Sequence, residues 1–301
     1  MFFFHLHSSE SLKTELDLFS LPPTQTSIES SQWVHYKPVS SLKDDSPIEF
    51  VIPCHGEEYI DLAHTILSVL VKVESPTETS AIAGGLKSVS VINNLLHSMF
   101  NQVDVYFNQK LVSPPNNTYA YRAYLEILLN YGSAAKKSHL TSALWAANTT
   151  GEMEDLTTKD TGIDIRRDHF GAGTTIDLID HLHCDIFNQN KLLLNGVEML
   201  LRLVRAKYAF CLMDPVKACS LHILEASLLV RRSKLSPCIL LAHAKALSQG
   251  TTKYPIMRAR SQALTLHGGI YDETHDDVIL GQLPKRIIID FVENRTFNEI
   301  S

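Results

Sequence analysis

The chain has 301 residues, 45% of them apolar, and a formal net charge of −6. This length suits one large or two modest domains, since single cores stop growing at about 250–300 residues. The composition is that of a folding chain, and its acidic balance gives no bulk pull toward nucleic acid. Residues 1–30 carry little periodicity, and Leu21-Pro22-Pro23 imposes an extended or turning path, which predicts an arm. Strand signals begin near Gln32, with Trp33, Val34 and Tyr36, and recur between prolines at Ile48–Ile52. From Leu62 to Val73 the pattern has period two: Leu67, Val69, Val71 and Val73 share one face, His64, Ser68 and Lys72 the other.

Val103–Phe107 alternates again and leads through Asn108-Gln109 into Lys110-Leu111-Val112, which predicts a hairpin. A related phrase, Phe187 to Leu192, suggests the same turn used twice. Ile176 to Phe187 reads as one long strand, with Ile176, Leu178, Leu182, Cys184 and Ile186 on one face and Asp180 an exception among them. Asp177, His181, His183 and Asp185 fall on the other face. Asn195-Gly196 between apolar runs predicts a type I′ hairpin into a strand over Val197–Arg205, with Val197, Met199, Leu201 and Leu203 inward. Leu221–Arg232 gives a further strand with Leu224, Ala226, Leu228 and Val230 inward.

Two short helices are predicted. One buries the stripe Tyr121, Tyr124, Leu125, Leu128 and Leu129 and ends near Gly132. The other starts at Ser236-Pro237 and runs to about Leu247, with Gly250 beyond. Residues 74–102 and 133–175 read as long loops. Many strands, two short helices and long excursions indicate an all-β, antiparallel sandwich of jelly-roll type.

Five cysteines, Cys54, Cys184, Cys211, Cys219 and Cys238, are odd in number and form no C-x-x-C pair. They fit reduced thiols in an intracellular setting better than a disulfide framework or a zinc ribbon. His5, His7 and Glu10 interrupt the apolar start, so it does not match a signal peptide, and no apolar run is long enough to span a membrane.

The most suggestive chemical run is His181-Leu182-His183-Cys184-Asp185. On a strand, His181, His183 and Asp185 project from one face, and imidazole with carboxylate can share a metal. Cupin enzymes, which are also jelly rolls, open their metal site with a similar His-x-His. Here no Glu follows before Glu198, so the run reads as a polar strand face and no metal or cofactor is assigned. Cys54-His55 reads as a turn, because adjacent residues of an extended chain point to opposite sides. His275-Asp276-Asp277 and Asp44-Asp45 read as solvated charge. Gly84-Gly85 and Gly171-Ala172-Gly173 lack the strand-before, helix-after setting of a phosphate loop. Arg231-Arg232 and Lys285-Arg286 read as rim charges open to an acidic partner. Trp145, in a long loop, is the candidate interface anchor.

Four phrases occur in order: Leu16 to Ile28, Asn101 to Gln109, Leu193 to Val197, and Gly281 to Ile287. Together they resemble the double jelly-roll major capsid proteins of Polinton/Maverick transposons and adintoviruses, over nearly the whole chain. The resemblance implies two jelly rolls in one subunit, homotrimers of pseudo-hexagonal outline, assembly with other capsid subunits into a virion shell, and no catalytic residues or small-molecule substrate. Such proteins run well past 400 residues. By that comparison residues 1–30 are an N-terminal arm, 31–250 the first jelly roll, and 251–301 the opening strands of a second, incomplete one. The rival expectations are a cupin-like metal enzyme using His181 and His183, and a domesticated β-sandwich binding module.

Overall fold

A computed structural model describes residues 24–43, 46–54, 56–74, 89–114, 117–149, 156, 161–170, 174–214, 219–269, 272–276, 278–279 and 283–292. Most of the expected N-terminal arm lies outside these residues. So do Asp44-Asp45, His55, Gly84-Gly85, Gly171-Ala172-Gly173, Asp277, Gly281-Gln282 and parts of both long loops.

Eight strands make the frame: β1 (Ile28–Tyr36), β2 (Ile48–Ile52), β3 (Glu58–Glu74), β4 (Phe100–Phe107), β5 (Lys110–Leu111), β6 (Thr175–His181), β7 (Met199–Arg205) and β8 (Ser220–Leu235). They form two four-stranded antiparallel sheets, ordered β1-β8-β3-β6 and β2-β7-β4-β5. The pairs β1·β8, β2·β7, β3·β6 and β4·β5 are all hydrogen-bonded, and they fall alternately in one sheet and the other. A strand ladder folded at the β4–β5 turn and rolled in this way is a jelly roll. The sheets stay open at their edges. A two-stranded ribbon, Ser90–Val91 with Leu212–Met213, flanks them.

One buried core joins the sheets. Ile48, Phe50, Ile52, Val105, Leu201 and Leu203 come from one side, and Leu67, Val69, Val71, Leu178, Leu228 and Val230 from the other. Period two in β3 and β7 therefore means what it predicts: the apolar parity faces the opposite sheet. The β4–β5 turn takes positive φ at both Asn108 (44°) and Gln109 (66°), the backbone that a two-residue hairpin of this twist requires. The Asn108 carboxamide oxygen accepts the Glu198 N–H at 2.9 Å, tying the turn to the entry of β7.

Several expectations are corrected. Leu224 is exposed, because β8 carries a bulge there: Ile223 faces Val71 but Glu225 faces Leu70. One extra residue switches the inward parity from Leu221 and Ile223 to Ala226, Leu228 and Val230. Asn195-Gly196 turns, with Gly196 alone at positive φ (88°), but closes no hairpin. Leu193 bonds across to Ile60 instead, so the residues before the turn have no free ladder to offer β7. The phrase Phe187–Leu192 forms no hairpin either; Asp185–Asn188 is a 3₁₀ turn.

The long loops hold helices: α1 (Leu95–Ser98), α3 (Ser133–Lys136), α4 (Thr161–Phe170) and a 3₁₀ turn over His139–Ala143, with α5 (Tyr208–Cys211) later in the chain. The predicted α2 (Tyr119–Asn130) forms, but it buries Tyr119, Ala120, Arg122, Ala123 and Ile127 and leaves Leu128 and Leu129 exposed. Its polar Tyr119 and Arg122 turn inward to meet partners described below. Trp145 is 4% exposed, packed with Ile127, Leu140 and Tyr124, so it is core and not a free anchor. Arg232 is likewise buried, its guanidinium donating to Tyr36 Oη at 2.7 Å and to the Pro53 carbonyl, so it is no rim charge.

α6 (Pro237–Gln249) starts and stops as predicted, yet buries none of its residues. Beyond it, residues 253–259 run along the turn after β6, through Lys253, Pro255 and Ala259 backbone bonds to Lys191, Gln189 and Asp185. From 251 to 292 the described residues contain no strand.

Candidate functional site

A network of buried and half-buried polar groups gathers at the exit of β6. The strand ends at His181, whose last ladder partner is Ile66, because the chain then bends: Cys184 N–H bonds back to the Leu182 carbonyl at 2.9 Å. The His183 N–H leaves the sheet and donates to Tyr119 Oη of α2 at 3.2 Å. The three residues expected on one strand face are thereby separated. His181 stays exposed, with its ring 3.3 Å from the Thr65 carbonyl. Asp185 is buried in an ion pair with Arg122. His183 turns toward His97 and Glu126.

Around His183 the sequence pattern gives no warning of the partners. His97 comes from α1 and is fully buried. Its Nδ1 lies 3.0 Å from Tyr119 Oη, and its Nε2 lies 3.3 Å from Asp180 Oδ2. The Asp180 carboxylate can only accept, so His97 Nε2–H donates to it, and the unprotonated Nδ1 accepts the Tyr119 O–H. Burial pushes His97 down to about 4, so the ring is neutral. Burial works against ionising Asp180, but bonds from His97 and the His181 amide outweigh it and hold the carboxyl below its usual range. Glu126 follows the same pattern, burial being overcome by the bond from His183 and the charge of Arg122. Arg122 bridges both acids, reaching Glu126 Oε1 at 2.9 Å and Asp185 Oδ1. The His97 and His183 rings meet edge to face, with centroids 4.6 Å apart.

Beside this network lies a cavity of about 20 Å³ lined by Tyr119, Arg122, His183, Asp185 and Arg258 among others. That is the space of a water or an ion, whereas metabolite sites occupy about 300–1,000 Å³. Cys184 at its wall is pushed up to about 12 by burial, so its thiol is inert toward nucleophilic chemistry. All five cysteines are free thiols.

The second notable surface is apolar. Leu241 on α6 and Met257, Leu283, Ile287, Ile288, Ile289 and Phe291 beyond it are all exposed, Phe291 to 79%. No described helix is long and apolar enough to cross a membrane.

No protein-family profile matches the chain. An uncharacterized protein of Caenorhabditis elegans is 23% identical over 292 residues, covering 92% of this chain and 67% of that one. Among solved structures, a chain from the Sputnik virophage aligns at TM-score 0.49 and 11% identity, over 77% of this chain and 53% of that one. The Faustovirus major capsid protein aligns at 0.46 and 10%, over 78% and 59%. The chain thus spans about half the length of these viral proteins.

Proposed function

We propose that the chain is a structural capsid subunit of the double jelly-roll type, encoded by a Polinton-like element, and not an enzyme. The observation that carries this reading is the strand order: eight strands pair as β1·β8, β2·β7, β3·β6 and β4·β5 across two sheets. The order of the four sequence phrases supports it further. The core between the sheets is filled by apolar side chains, which leaves no room there for a cupin-type metal centre, and His181 stays outside it.

In this reading residues 1–30 are an arm, 31–250 the first barrel, and 251–301 the lead into a second. The exposed apolar run from Leu283 to Val292 supports that division, since contiguous exposed apolar surface marks a face built to be covered. Three copies would associate through the flanks of the barrels, and the product would reside in a virion shell. Closed threefold symmetry joins two different patches of each subunit, which suits a barrel whose two edges differ.

Sequencing the transcript and its flanking DNA tests the assignment. A second run of eight strand-like segments beyond Ser301, near a packaging ATPase, a maturation protease or an integrase, is the expected result. A stop codon after Ser301 among ordinary host genes would contradict it and leave a domesticated binding module.

A further inference from the structure

We propose that His97, Asp180 and His183 bind one divalent transition-metal ion of the zinc type, which staples α1 and the turn after β6 to the end of that strand. One ligand atom from each of the three lies within 4.8 Å of the others. A tetrahedral ion with bonds of about 2.0–2.1 Å spaces its ligand atoms by roughly 3.4 Å. His97 Nε2 and Asp180 Oδ2 already stand 3.3 Å apart.

Both rings are held from outside in the way that ligating imidazoles are held. Tyr119 Oη takes His97 Nδ1 at 3.0 Å, and the Glu126 carboxylate takes His183 Nδ1 at 2.9 Å, so Nε2 is the free nitrogen of His183. Glu126 is itself fixed by Arg122. Such outer partners set ring orientation and raise ligand basicity. Loading the ion moves the His97 proton from Nε2 to Nδ1, which then donates to Tyr119 Oη, while the phenol hydrogen turns toward the adjoining cavity.

Charge points the same way. Glu126 and Asp185 share one buried guanidinium, Arg122, while Asp180 has the neutral His97 ring as its ion-pair partner, and Arg258 lies at the cavity rim. A divalent ion offsets the excess of negative charge. Two imidazoles and one carboxylate favour zinc, cobalt or iron(II) over the all-oxygen preference of calcium and magnesium. The small cavity beside His183 has room for a water and for no larger group. The ion therefore has a holding role.

The test is titration of the chelator-treated full chain with zinc chloride, read by calorimetry and by melting temperature. One zinc per chain and a higher melting temperature are expected. Asp180→Asn keeps an acceptor for His97 but should weaken zinc binding by at least about 100-fold and erase the zinc-dependent shift. Glu126→Gln, an outer partner, should weaken it by about 10–100-fold while keeping the stoichiometry. A chain that folds only after zinc is restored would also support the site. A cooperatively melting parent with no zinc-dependent shift would overturn it. So would a shift that persists in Asp180→Asn and His183→Ala, which would place the ion on exposed histidines.

Discussion

The barrel and the segment after it both carry many large apolar side chains, with opposite fates. From Thr65 to Val73 in β3 and from Met199 to Leu203 in β7 every second residue is buried to a few per cent, while Ile287, Ile288, Ile289 and Phe291 stay half-exposed or more. The sequence difference is one of period. Leu67-Val69-Val71-Val73 alternates with Ser68, Leu70 and Lys72, two of them polar, and so has an inside and an outside. Arg286-Ile287-Ile288-Ile289-Asp290 is apolar without alternation, a pattern suited to burial on both faces. Hydrophobic side chains specify burial only when neighbouring ladders supply the backbone partners.

The comparison breaks most sharply at the barrel core. Replacing Leu201 or Leu203 by Asp places an unpaired charge between the sheets, and the expected cost exceeds about 4 kcal/mol, read as loss of a cooperative melt. A soluble variant that melts cooperatively near the parent temperature would contradict the inward assignment. Trp145→Ala removes the centre of the satellite cluster with Ile127 and Leu140, at about 3 kcal/mol by denaturant titration. No measurable loss would return Trp145 to the surface.

Leu224→Ser should change stability by less than about 0.5 kcal/mol, because the bulge has already turned that side chain outward. A cost above about 2 kcal/mol would place Leu224 inside. The smallest folding effect belongs to the tail. The pair Ile287→Ser and Phe291→Ser should leave the melting temperature unchanged yet reduce self-association, measured by light scattering against concentration.

Most of the jelly roll is legible in the sequence, because period two is a direct consequence of strand geometry. All eight strand regions carry it or a strand-favouring composition, and the Asn108-Gln109 turn and the Ser236-Pro237 helix start follow from local backbone preferences. What sequence does not show is where alternation slips. The bulge at Leu224 leaves no compositional mark, so parity read forward through β8 goes wrong on one side of it.

The polar network is less legible still. Asp180 does leave a trace, as a carboxylate on the otherwise apolar parity of β6, and that misfit is the signal of a buried partner. His97 leaves none, because it lies 83 residues away in a segment with no periodicity and meets Asp180 only through the fold. Reading His181, His183 and Asp185 as one face required β6 to continue past His181, and the bend at Leu182–Cys184 prevents it. Trp145 and Arg232 are buried against the sequence expectation for a related reason. Loop position and charge suggest exposure, while packing against Tyr124 and bonding to Tyr36 and Pro53 reward burial.

The most direct test of the capsid reading is the native mass of the protein expressed from its complete transcript. A closed trimer, stable on dilution to micromolar concentration, is expected. A monomer that stays monomeric as concentration rises would contradict it.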